Sequence, residues 1–127
     1  MHLALTERQI GAVTVLDLVG KLTIDHDAQR LKDKINSLIQ QGRTQIVLNL
    51  TDVSSIDSGG LGQLVASYGS VAKTSGGLKL LGVSKRNHDL LSITRLVTLF
   101  DAYDSEKEAV ESFRTHETSP AVAAIAK

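Results

Sequence analysis

Hydrophobic and polar positions along the chain change period several times, and each change predicts an element. Leu3 and Leu5 alternate with polar residues, and after Gly11 comes VTVLDLVG, residues 13–20; both predict strands, joined in a hairpin around Ile10-Gly11-Ala12. From Ala28 the period becomes helical: Ala28, Leu31, Ile35, Leu38 and Ile39 form one stripe, with Gln29, Arg30, Lys32, Lys34 and Gln40 outside it. Asp25 or Asp27 can cap this helix and Gly42 can end it. QIVLNL, residues 45–50, is a short and nearly continuous apolar run, the pattern of a strand covered on both faces. A second helical stripe runs through Leu61, Leu64, Val65, Tyr68, Val71 and Ala72 and stops at Ser75-Gly76-Gly77.

LKLLGV, 78–83, predicts another strand. A helix over Lys85 to Leu96 follows, carrying Leu90, Leu91, Ile93 and Leu96, and then a last short strand at VTLF, 97–100. Ser105-Glu106-Lys107-Glu108 fits a capping box for a closing helix whose buried side is Ala109, Val110 and Phe113. HETSPAVAAIAK has no convincing period, which divides the chain into a domain over 1–114 and a C-terminal tail over 115–127. Two strands followed by helix–strand alternation predict an α/β fold, a mixed sheet of 4–5 strands with about four flanking α-helices. In such sheets the functional crevice lies beyond the carboxyl ends of the parallel strands. Residues 51–60 fall there, with Thr51 and Asp52 organising the turn after the strand.

Composition narrows the function classes. Lys plus Arg equals Asp plus Glu at 14 each, so no positive excess points to direct nucleic-acid binding. The two Phe, two Tyr and absent Trp leave no stacking platform for single strands and require an aliphatic core. No apolar run approaches the ~20 residues of a membrane span, and MHLALTERQIG lacks the basic-then-apolar order of a secretory signal. A cytoplasmic location is the expectation. There is no cysteine, which removes disulfide and thiolate chemistry. Asp25, His26 and Asp27 cluster without further ligands at metal-binding spacing, so capping is preferred to a metal site. No cofactor motif is present: SGGLG lacks the Lys-Ser/Thr of a phosphate-binding loop.

The stretch of interest is SSIDSGGLGQLV, 54–65, which sets Asp57, Ser58, Gly59 and Gly60 before an apolar helical pattern. Ser58 as a nucleophile needs a histidine in reach, and His2, His26, His88 and His116 are scattered. Gly-x-Ser-x-Gly is absent, because position 56 is Ile. Ser58 as a helix cap fits well, worth about 1 kcal/mol, with Gly59 and Gly60 allowing a tight turn. A hydroxyl at a helix N-terminus is also well placed to carry or contact phosphate. Asp57 reads equally as a first-turn carboxylate or a partner contact. Lys85, Arg86 and His88 read as a solvated face, with a basic patch for an acidic partner as the lesser alternative.

LVGKLTIDHDAQRLKDKI, IVLNLTDVSSIDSGGLGQLVASY and GGLKLLGVSKRNHDLLSITRLVTLFDAYDSEKEAVESF together resemble the STAS-domain family, the anti-sigma factor antagonists of bacteria, from about Leu3 to Phe113. The resemblance implies the same mixed sheet and a binding function, not an enzymatic one. An unphosphorylated antagonist of this family engages an anti-sigma factor of the serine-kinase type and frees a sigma factor; the kinase then phosphorylates the antagonist in the signature loop. Family members with the acceptor resemble Asp-Ser-Ser-Gly-Leu or Asp-Ser-Thr-Gly-Leu, the acceptor being the second hydroxyl residue. Matching Asp57, Ser58, Gly60 and Leu61 places Gly59, which has no hydroxyl, at that position and leaves Ser58 the only candidate acceptor in the motif. Two alternatives stand beside this reading: within the same family, a scaffold in a transport-associated or sensory complex and, from another class and from the residues alone, a small Ser58-dependent hydrolase that would also use Asp57. Self-association into a homodimer is left open.

Overall fold

The structure is a computed structural model, and it describes residues 3–23, 26–96 and 98–113. The chain runs β1 (Ala4–Ile10), β2 (Val13–Leu22), α1 (His26–Gln40), β3 (Gln45–Ile56), α2 (Ser58–Ala72), β4 (Gly77–Leu81), α3 (Lys85–Ile93) and β5 (Asp101–Tyr103), closed by a helix α4 over 106–113. The strands form one mixed sheet in the order β1-β2-β3-β4-β5. β1 pairs antiparallel with β2, Ile10 opposite Val13, so the hairpin turns at Gly11-Ala12 with Gly11 at φ 60°. The later pairs are all parallel, each crossing over through a helix.

The periodicities explain the layers. On one face Leu16, Leu18, Ile46, Leu48, Leu50, Leu78 and Leu80 meet Leu31, Ile35 and Leu38 of α1 and Leu61, Leu64 and Val71 of α2. On the other, Val13, Val15, Val47 and Leu81 are covered by Ala109 and Phe113 of α4. β3 is therefore buried on both sides over 46–48, as its apolar run implies, and each such side chain contributes about 2 kcal/mol. Beneath α4 the buried Lys79 ammonium lies 4.9 Å from the Phe113 ring centroid and 5.7 Å from that of Tyr103, and 3.6 Å from Asp101. Gly42, at φ 77°, ends α1 as expected, and the Ser105 hydroxyl accepts from the Glu108 N–H at 3.3 Å at the start of α4.

Four boundaries differ from expectation. β1 begins at Ala4 and runs to Ile10, while Leu3 precedes it, buried; the Leu3 N–H donates to the Asp27 carboxylate at 3.1 Å. Asp27 is thus a buried tie for the start of β1, accepting also from the Thr23 hydroxyl at 3.3 Å, and not a solvent-facing cap. Asp25 and the tail 115–127 lie outside the described residues. β3 continues to Ile56, so Thr51 and Asp52 are strand residues, not a turn. Two register shifts on β2 let the ladder resume past the polar stretch, pairing Val19 with Asp52 and Leu22 with Ile56.

The remaining two concern the chain beyond β4. α3 stops at Ile93: Arg95 takes φ 64°, and the Leu96 N–H returns to the Leu91 carbonyl at 2.8 Å. The last strand is at 101–103, while residues 98–100 of the expected 97–100 strand are not in the sheet and Val97 lies outside the described residues. Phe100 is buried instead, its ring edge-on to Tyr68 of α2 at 5.4 Å.

A polar chain ties the hairpin to α4. The Arg8 guanidinium donates to Asp17 at 2.5 and 2.9 Å and to Glu106 at 2.5 and 3.2 Å, and the Asn49 amide donates to Asp17 at 2.7 Å. Arg8, then Asn49, holds the Asp17 carboxyl below the usual carboxylate range against the opposing effect of burial. The folded pKa being depressed, the stabilisation is complete above the unfolded value of about 3.9 and is lost as pH falls from there through the folded value. Urea midpoints of wild type and Asp17→Asn should differ at pH 7 and draw together as pH falls below the unfolded value of about 3.9; a difference independent of pH would contradict this assignment.

Candidate functional site

β3 delivers the chain to the start of α2. The Asp57 N–H donates to the Leu22 carbonyl at 3.1 Å, extending the β2–β3 pairing by one residue. Asp57 itself is extended, at φ −92° and ψ −178°, and its carboxylate accepts from the Gly60 N–H at 2.7 Å. Asp57 is therefore the N-cap of α2, and its backbone carbonyl accepts the Leu61 N–H at 2.8 Å. This corrects the reading of Ser58 as the cap. Both residue types suit that role, and the place where β3 ends decides between them. Ser58 is the first helical residue, exposed, and its hydroxyl makes no hydrogen bond among the described residues. Asp57→Ala should cost about 1 kcal/mol while Ser58→Ala stays within about 0.5 kcal/mol, read from chemical denaturation; the reverse order would restore Ser58 as the cap.

The glycines serve a different purpose from a tight turn. Neither Gly59 nor Gly60 takes a positive φ; both lie within α2. A Cβ on Gly60 would stand 2.2 Å from the Leu22 carbonyl oxygen, so glycine there lets α2 start directly against the end of β2. Leu61 is buried in the main core and anchors the first turn. The five residues thus divide their work: Asp57 caps, Gly60 and Leu61 fix the helix to the sheet, and Ser58 with half-buried Gly59 forms the outward corner.

Beside this corner lies a groove of about 540 Å³ between the end of β3 and α3, lined by Ser55, Ile56, Lys85, Arg86, Leu90 and Ile93, with Asn87 and Asp89. Its floor is pinned: Ser84 caps α3 by accepting from the Asn87 N–H at 3.1 Å, and the buried Asn87 amide donates to the Val53 carbonyl at 3.2 Å. Ile93, one of the apolar residues carried by the expected helix, is 80% exposed. The helix ends at this residue, and the reversal at Arg95 carries the chain back to the core through Leu96 instead. A terminal apolar position with two basic residues, Lys85 and Arg86, about two turns earlier was the available signal.

No hydrogen bond joins Ser58 to a histidine among the described residues, and His88 is an exposed residue of α3. Among those residues no group of three or more His, Asp or Glu could hold a metal ion. No helix of the described residues is long and apolar enough to cross a membrane.

Comparison with known proteins bears on the family and the fold. The family model for the STAS domain matches residues 4–109. The anti-sigma-B factor antagonist of Bacillus subtilis is 35% identical over 86 residues, covering 68% of this chain and 77% of that protein. Among solved structures, a candidate anti-sigma factor antagonist of Thermotoga maritima superposes with a TM-score of 0.81 at 29% identity, over 87% of this chain and 94% of that one. Bacillus SpoIIAA, an anti-sigma factor antagonist in its unphosphorylated form, shares the fold with a TM-score of 0.68 at 23% identity, over 87% of this chain and 98% of its own. Sheet order, the helix start after β3 and the family match together show that this chain belongs to the STAS-domain family.

Proposed function

We propose that this chain is an anti-sigma factor antagonist, a cytoplasmic binding module and not a catalyst, which engages an anti-sigma factor of the serine-kinase type through Asp57–Leu61 and the adjoining surface of α2 and so frees a sigma factor. The observation that carries this reading is the corner itself. α2 begins at the end of a central strand, capped by Asp57 and fixed by Gly60, with Ser58 exposed and the Ser58 and Gly59 amides ahead of the first intrahelical bond. Such a rigid, pre-organised corner loses little entropy on binding.

On the same reading, the usual acceptor position is Gly59, and the switch by phosphate is missing. Ser58 does not replace it, because consecutive helical residues are turned by about 100° and the Ser58 hydroxyl leaves the axis in another direction. In-line phosphoryl transfer does not tolerate such a displacement. The test is a mixture of this chain with the serine-kinase-type anti-sigma factors of its own source, followed by chromatography and calorimetry. The reading expects a complex with at least one of them and displacement of its sigma factor; no complex with any of them would overturn it.

A further inference from the structure

We infer that the groove between β3 and α3 receives an acidic segment of the partner, whose apolar side chain seats against Leu90 and Ile93 while its carboxylates pair with Lys85 and Arg86. This rests on the antagonist reading for the identity of the partner, though the chemistry of the groove is argued independently of it.

Two observations define the occupant. Ile93 is 80% exposed, against 48% for Val19, the other large exposed hydrophobic among the described residues. Burying such a side chain contributes about 2 kcal/mol, so the partner presents an apolar group there. Lys85 and Arg86 are exposed and their side chains make no ion pair or hydrogen bond with the described residues. Across the whole chain the 14 basic and 14 acidic residues balance, so this local positive charge is a feature of the groove and not of the protein at large. The one carboxylate among the lining residues is Asp89, which leaves the groove net positive; Asp57 follows Ile56 on the side of the α2 corner. Like charges opposed across an interface are destabilising, so a basic segment is disfavoured and an acidic one is steered in.

The groove is also ready-made. Its floor is held by the Asn87–Val53 hydrogen bond and the Ser84 cap, so binding need not order it first. Ser55 and Ile56 lead straight into Asp57, so one partner covers both the groove and the α2 corner.

The experiment titrates the isotopically labelled full chain with two amphipathic peptides sharing leucine positions, one carrying glutamate and the other lysine at the polar positions. The glutamate peptide should shift the amides of 55–56 and 85–93 and bind at least about fivefold more weakly when salt is raised from 50 to 500 mM. The double substitution Lys85→Glu, Arg86→Glu should weaken it about tenfold or more, as should Ile93→Ser. All three residues are exposed, and the same spectra show that the fold is kept. Equal binding of the lysine peptide, shifts confined to other surfaces, or no binding by either peptide would overturn the inference. With the anti-sigma factor itself, wild-type affinity of the double variant overturns the groove while leaving the antagonist reading intact. Peptide binding in the groove with no anti-sigma binding does the opposite.

Discussion

Gly60→Ala is expected to cost about 3 kcal/mol and to lower the thermal midpoint by roughly 10 °C. The added methyl would lie 2.2 Å from the Leu22 carbonyl oxygen, 2.8 Å from its carbon and 2.9 Å from Leu22 Cγ. The first two are backbone atoms of β2 where it pairs with Ile56 of β3, and the Leu22 carbonyl already accepts the Asp57 N–H, so they cannot step aside cheaply. Moving α2 outward instead would pull Leu61 and Leu64 from the core and strain the Asp57 cap. Gly62 provides the internal control. It lies in the same helix, is exposed, and a Cβ there meets nothing within 4 Å. Gly62→Ala should therefore stabilise by about 0.5–1 kcal/mol through lower backbone entropy in the unfolded chain. Calorimetry of both variants checks the pair; shifts of the same sign would mean that contact with β2 does not set the requirement at position 60.

The second large effect is a gain of modification. If Gly59 occupies the place of the missing acceptor, Gly59→Ser returns a hydroxyl to the second position of α2. With ATP and a serine-kinase-type anti-sigma factor, that variant should take up phosphate on the introduced hydroxyl, roughly one group per chain, and then leave the complex. A phosphate brings about −1.5 to −2 charges beside Asp57, on a surface whose partner has to be desolvated to bind. The natural chain should take up none, and its complex should be insensitive to ATP, as should that of Ser58→Ala. Mass spectrometry with chromatography before and after ATP reads both halves. Phosphate on Ser58 of the natural chain would show that the acceptor has shifted by one residue and that the switch is intact.

Elements whose boundaries follow from local chemistry were legible without coordinates. The α1 stripe, its stop at Gly42, the doubly covered QIVLNL strand and the Ser105 start of α4 each depend on residues within a turn or two of one another. The features that were not legible are set by distant partners. TDVSSI looks like a loop in isolation and becomes strand because irregularities in β2 bring its backbone back into register. VTLF is at least as strand-like as DAY, and the contact of Phe100 with Tyr68 decides against it. At the site, adjacent Asp57 and Ser58 are both good caps, so the sequence located the helix start but not its owner. The need for glycine at position 60 depends on Leu22, far away in the chain, and no local rule contains it.

Hydrogen exchange at the start of α2 gives the most direct test of its role as the docking surface. In the free chain the Ser58 and Gly59 amides, which precede the first intrahelical bonds, should exchange rapidly, while Leu61, bonded to the Asp57 carbonyl, is slower. On binding an anti-sigma factor, Ser58 and Gly59 should become protected along with the neighbouring outer face of α2. Unchanged exchange there, with protection elsewhere on the molecule, would place the interface on another surface and contradict the account.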